Sequence, residues 1–171
     1  MSKIKRLCLD TNVYIIGVQE VNSDEGKILE SIGYYGKQYT QIEAEIILSP
    51  ELIDQIRRVG KYLWNQDKAG LVLSLIWSNL NIFDVTPDAE WRNLLKEINL
   101  TGNIPTEDIE IFLTAKFGLA DCFVSSNREL IKAIAGFECL TPDTFIKKYF
   151  KEINICKYLC KILNSISKMK L

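Results

Sequence analysis

The chain has 171 residues, 47% hydrophobic and 25% charged, with a formal net charge of −1. That size and balance describe one soluble globular domain, able to bury a core without disulfides or a structural metal. No apolar run approaches the ~20 residues that a membrane span needs, so no membrane association is expected. The sequence contains no histidine, which rules out Ser-His-Asp and Cys-His catalysis, an HExxH zinc site and an imidazole base. Five cysteines, an odd number without CxxC spacing, point to a reducing cytoplasm. Cys156 and Cys160 are one helical turn apart and, without histidine, read as core residues rather than zinc ligands. After Lys3, Lys5 and Arg6 the apolar stretch is cut by Asp10 within about four residues, too short for a signal peptide. Charge is uneven: from Lys147 onward seven lysines face one acid, Glu152, giving that end about +6 and leaving the body acidic.

Strand and helix patterns alternate along the chain. Leu7 and Leu9 mark a first buried strand that Asp10 ends, and residues 13–18 open a helix. Ser23 or Asp24 caps a second helical segment through Ile28, Leu29 and Ile32, which Gly33 and Gly36 punctuate. Residues 44–49 form a second strand, with Pro50 in the first turn of the helix after it. Leu52, Ile53, Ile56, Val59 and Leu63 keep helical spacing there. Residues 67–77 are a further helix and 81–85 a third strand. Thr86, Pro87 and Asp88 start a helix through Trp91, Leu94, Leu95 and Ile98. After a loop at 101–103, Pro105 or Thr106 opens a helix that turns Ile109, Phe112 and Leu113 inward and stops at Gly118. Residues 121–125 are the fourth strand, 127–134 a helix, 137–140 a fifth strand, and Pro142 begins a helix through Phe145 and Tyr149. In the last segment Ile155, Tyr158, Leu159, Ile162, Leu163 and Ile166 share one face. The expected architecture is a three-layer α/β/α sandwich around a mostly parallel sheet of about five strands. Residues 1–150 form the domain, and 151–171 a basic amphipathic helix packed on it or extending from it. That helix either packs on the body, binds RNA phosphates, or docks a partner helix.

Acidic groups fall at strand ends and helix starts. Asp10 ends the first strand, Glu51 lies in the first turn after the second, and Asp108 lies in the first turn after the 101–105 loop. Asp121 heads the fourth strand and Asn127 follows its tail. If the strands are parallel, Asp10, Glu51 and Asn127 share the carboxyl edge, where open α/β sheets bind ligands, and a helix start brings in Asp108. Oxygen-rich side chains without histidine or cysteine suit hard cations such as Mg²⁺ or Mn²⁺. Taken singly, a first-turn acid is explained by the helix dipole. Thr11, Asn12 and Ser49 either support the acids, through hydrogen bonds to them or to a bound water, or cap the helices that follow.

Three stretches, Leu9-Asp10-Thr11-Asn12-Val13, Leu48-Ser49-Pro50-Glu51-Leu52, and Pro105-Thr106-Glu107-Asp108 followed by 120–130, resemble a PIN domain. Leu140-Thr141-Pro142-Asp143-Thr144-Phe145 matches that family's closing strand and helix, so the resemblance covers roughly residues 5–150. It implies an endoribonuclease that hydrolyses RNA with Mg²⁺ or Mn²⁺, of the kind found in VapC-type toxins. Asp10, Glu51 and Asp108 would be catalytic and metal-binding, with Asp121 and Asn127 as further metal residues and Thr11, Asn12 and Ser49 in support. An antitoxin is the implied partner, and homodimerisation would run through the apolar helices between Glu51 and Trp77. The family usually carries aspartate where Asn127 stands. That departure opens the alternative of a weakened or inactive PIN-like module that binds RNA or protein.

Overall fold

A computed structural model of the chain describes residues 4–102 and 104–150. Its elements are β1 (Arg6–Leu9), α1 (Thr11–Gln19), α2 (Asp24–Ser31), β2 (Glu45–Leu48), α3 (Pro50–Leu63), α4 (Gln66–Asn79) and β3 (Ile82–Asp84). Then follow α5 (Ala89–Thr101), α6 (Thr106–Phe117), β4 (Cys122–Val124), α7 (Arg128–Ala133), β5 (Glu138–Leu140) and α8 (Pro142–Phe145), which runs on into a π-helical turn at Ile146–Phe150. The expected helix over 151–171 lies outside the described residues.

The strands form one all-parallel sheet in the order β3-β2-β1-β4-β5. Residues 7–9, 46–48 and 122–124 of the three central strands are at most 1% exposed. Such strands, buried on both faces, belong to the middle layer of an α/β/α sandwich, the architecture expected from the alternation of patterns. The edge strands β3 and β5 are partly exposed, as their shorter apolar runs allow. No helix among the described residues is long and apolar enough to cross a membrane.

Helix starts follow their caps. Ser23, Ser49, Asn65 and Asp88 each accept the N–H three residues on, the bond that stabilises a helix N-terminus by about 1 kcal/mol. Most boundaries move by one or two residues, and the start of α5 shows why. Thr86, Pro87 and Asp88 do not begin α5, because the Asp88 carboxylate accepts the Trp91 N–H at 2.8 Å and the helix starts after it. At its other end Gly102 takes the left-handed conformation (φ 65°) that closes a helix and that glycine adopts without strain.

The long connection from α1 to β2 also has a structural purpose. Helix α2 packs on α1, Tyr34 is 1% exposed, and the Tyr35 hydroxyl donates to the Gly17 carbonyl at 3.0 Å. A short 3-10 turn at Lys37–Tyr39 completes this segment. The segment therefore covers the core beside β1 and steadies the helix that starts at Asp10.

Candidate active site

Parallel pairing sets Leu9 beside Val124 and Val124 beside Leu140, so β1, β4 and β5 finish level. The Asp10 N–H donates to the Val124 carbonyl at 2.9 Å, and the Ser125 N–H to the Leu140 carbonyl at 3.1 Å. The residues that leave these strands, Asp10 and Ser125, are thereby held side by side on the carboxyl edge. Asp10 is 3% exposed and Ser125 fully buried. The Ser125 hydroxyl donates to Asp10 Oδ2 at 2.6 Å, across 115 residues of sequence.

Burial pushes the Asp10 carboxyl above its ordinary range. The Ser125 hydrogen bond and the nearby N–H groups of Thr11 and Asn12 pull it part of the way back. Among the described residues no cation pairs with Asp10 or with Glu51. An ionised carboxylate in that setting raises the energy of the fold unless a cation reaches it.

Asn127 links this pair to a second acid. Its backbone N–H donates to the Ser125 oxygen at 2.9 Å. Its side-chain Oδ1 accepts the Glu129 and Leu130 N–H groups, each at 3.1 Å, and so caps α7. The Nδ2 group then donates to Asp108 Oδ2 at 2.9 Å. Asp108, 9% exposed, comes in from the first turn of α6. Asp10, Ser125, Asn127 and Asp108 thus form one hydrogen-bonded chain.

Two expected roles change. The Asn127 oxygen was expected to be available to a metal, but both of its lone pairs are committed to helix N–H groups, and the amide turns donors toward the acids. Asp121, the other further metal residue that the resemblance implies, would serve only if its side chain turned toward the cluster. Its carboxylate instead accepts the Lys5 and Arg6 N–H groups at 2.8 and 2.9 Å. Asp121 precedes β4 while Ser125 follows it, so the three strand residues between them, a rise of about 13 Å over four residue steps, separate it from the acids.

Glu51 lies in the first turn of α3, as its position after Pro50 requires. One of its carboxylate oxygens, Oε2, is buried without a hydrogen-bond partner. With Gln55, Arg58, Glu110 and Ile111 it lines a small cavity of about 180 Å³ between α3 and α6, which neither Asp10 nor Asp108 lines. The structure therefore joins Asp10 to Asp108 through Ser125 and Asn127. No three Asp, Glu, Cys or His side chains close around a common point among the described residues. In donor chemistry Asp10, Glu51 and Asp108 nevertheless suit one hard divalent ion. Glu51 supplies the observation that favours it, a buried carboxylate oxygen for which the described residues provide no partner.

The supporting residues divide between the two readings open in the sequence. The Ser49 oxygen accepts the Leu52 N–H at 3.2 Å and lies 2.8 Å from the Thr114 oxygen. Because Thr114 donates to the Glu110 carbonyl at 2.8 Å, Ser49 must donate to Thr114. Ser49 is a cap that ties α3 to α6, and through them Glu51 to Asp108. Thr11 hydrogen-bonds Gln55 and clips α1 to α3. Asn12 is exposed. Ser125 and Thr114 escape a search for acids, although Ser125 carries a legible signal, a small polar residue leaving a buried strand level with Asp10. We expect Ser49→Ala to lower stability by about 1–2 kcal/mol, one cap plus one buried hydrogen bond, read as a lower urea midpoint.

Solved structures with this architecture include VapBC2 from Rickettsia felis bound to a DNA fragment from their promoter. It is 16% identical, covers 80% of this chain and 98% of that one, and has a TM-score of 0.57. VapBC-1 from nontypeable Haemophilus influenzae is 16% identical over 81% and 98% of the two chains, with a TM-score of 0.54. FitAcB from Neisseria gonorrhoeae is 18% identical over 80% and 97%, with a TM-score of 0.50. No family model matches the sequence, and a comparison with curated proteins found no match. The fold is that of a PIN domain.

Proposed function

We propose that this PIN-fold chain is a metal-dependent endoribonuclease that hydrolyses RNA phosphodiester bonds, acting as the toxin of a toxin–antitoxin pair. One observation carries the reading. Buried or half-buried carboxylates, Asp10 and Glu51, stand at the carboxyl edge of the sheet with no ion pair among the described residues, Arg58 lining the Glu51 cavity without bridging to it. Folding has accepted the cost of burying these groups, and a bound cation would offset it.

Asp10, Glu51 and Asp108 would hold Mg²⁺ or Mn²⁺. When bound, such an ion neutralises charge on the scissile phosphate and lowers the pKa of water. The protein's own contribution is to fix the acids. Ser125 holds Asp10 by the short hydrogen bond, Asn127 holds Asp108, and the Ser49–Thr114 bond sets α3 against α6. Burial of Asp10 and Asp108 keeps bulk water from screening their charge.

The VapBC and FitAcB neighbours support an antitoxin as the partner. Tyr62, Leu63, Leu71 and Trp77 of α3 and α4 are exposed, and such side chains suit the antitoxin or a second copy of the chain. A second functional reading has its own observation. Asn127 is spent on capping and on Asp108, which favours a silent module that binds RNA or protein without cutting.

Metal titration separates the two. At about 100 times its dissociation constant, Mn²⁺ should stabilise the nuclease by about 2.7 kcal/mol, a rise in Tm of roughly 5–10 °C for a chain of this size. Glu51→Gln should abolish that rise. A Tm unmoved by Mn²⁺ or Mg²⁺ would leave the silent module as the surviving reading.

A further inference from the structure

We infer that the Asn127 side-chain amide occupies the place of a cation beside Asp108, which limits this site to one divalent ion. The inference rests on the reading of Asp10, Glu51 and Asp108 as a metal site and adds how many ions that site takes. It starts from the orientation of the amide. Only an acceptor can meet the Glu129 and Leu130 N–H groups, so capping of α7 forces Oδ1 toward the helix. The Nδ2 group is then obliged to face Asp108 Oδ2, which it does at 2.9 Å. Its N–H carries partial positive charge and directs it at the oxygen that an ion between residues 108 and 127 would need. A cation there would meet a donor of its own sign and no lone pair.

Changing one atom reverses this. Aspartate caps a helix as well as asparagine does, so Asn127→Asp keeps α7. Its second oxygen would take the place of Nδ2 and face Asp108 at hydrogen-bond distance. Two carboxylates so close cannot both be ionised cheaply without a cation between them. The natural amide removes that demand, and with it a second ion position.

The test uses the full chain with Mn²⁺ alone as the probe. Calorimetric titration gives the number of ions bound, and melting in EDTA gives the stability of the metal-free state. The expected result is one Mn²⁺ for the natural chain and one more for Asn127→Asp. In EDTA the variant should melt lower than the natural chain. Adding Asp108→Asn to it exchanges the two groups and puts an amide donor back beside a carboxylate, so it should restore the melting temperature in EDTA. Equal stoichiometry for the natural chain and Asn127→Asp would overturn the inference while leaving the nuclease reading intact. No ion on the natural chain, whether or not Asn127→Asp binds one, would sink both the nuclease reading and the inference that rests on it. If Asn127→Asp shows no cooperative melt in EDTA, rescue by Asp108→Asn supports the inference and failure to rescue overturns it.

Discussion

Replacing Asp10 with asparagine is expected to abolish RNA cleavage while making the metal-free protein more stable at neutral pH. The two effects have the same cause. Asp10 is 3% exposed, and burial raises its carboxyl above the ordinary value of 3.8. A group whose native pKa is raised binds its proton more tightly in the folded state than in the unfolded one. Stability is therefore greatest below the unfolded value and declines as pH rises through the native one. Asparagine accepts the same Ser125 hydrogen bond but carries no charge, so it escapes that decline. In EDTA the difference in Tm between Asp10→Asn and the natural chain should widen from pH 4 to pH 7, with the variant higher. In Mn²⁺ the order should reverse, because only the natural chain gains from the ion. Activity should fall about 10³-fold, since an ion contributes several kcal/mol of charge stabilisation and each 1.4 kcal/mol is tenfold. Unchanged cleavage would remove Asp10 from the mechanism, and a lower Tm in EDTA would show that its charge is offset by something other than an ion.

Phe123→Ala should act in the opposite way, through stability and without touching an acid. Phe123 is the middle residue of β4 and fully buried, with Cys8 on β1 and Cys139 on β5 as its register partners. Removing a core phenylalanine loses its transfer energy and leaves a cavity, costing about 3–5 kcal/mol. Against a total of about 5–15 kcal/mol for a typical domain that is a large share, equivalent to roughly 10 °C in Tm. The denaturant midpoint should drop with an unchanged slope. A loss under about 1 kcal/mol would mean that the site collapses around the gap. The residue matters for function because β4 delivers Ser125 and Asn127 to the carboxyl edge. Any loosening of that strand frees both links between Asp10 and Asp108.

Much of this molecule is written in local pattern. Apolar runs of three residues, 7–9 and 46–48, mark β1 and β2. Ser23 and Ser49 mark helix starts because a cap needs only an oxygen a few residues before the N–H it receives. Asp10, Glu51 and Asp108 could be assigned to strand ends and first turns for the same reason, and alternation of strand and helix implied a parallel sheet. The direction in which a side chain faces is a different kind of fact. Asp121 and Ser125 bracket the same strand, yet one serves the amino edge and the other the acids, since parallel register sets Asp121 level with Arg6 and Ser125 level with Asp10.

The sequence by itself determined the elements, their order and the acids at their ends, because those depend on neighbours within a turn or two. Only the tertiary structure decided that Ser125 holds Asp10, that Thr114 receives Ser49, that Glu51 shares a cavity with Gln55 and Arg58, and that Asn127 turns N–H groups toward Asp108. Ser125 meets Asp10 across 115 residues and Thr114 meets Ser49 across 65. Contacts at that range come from strand register and helix packing, which no periodicity along the chain encodes. The orientation of the Asn127 amide is fixed by a choice between donor and acceptor that arises only once α7 and Asp108 are both in place.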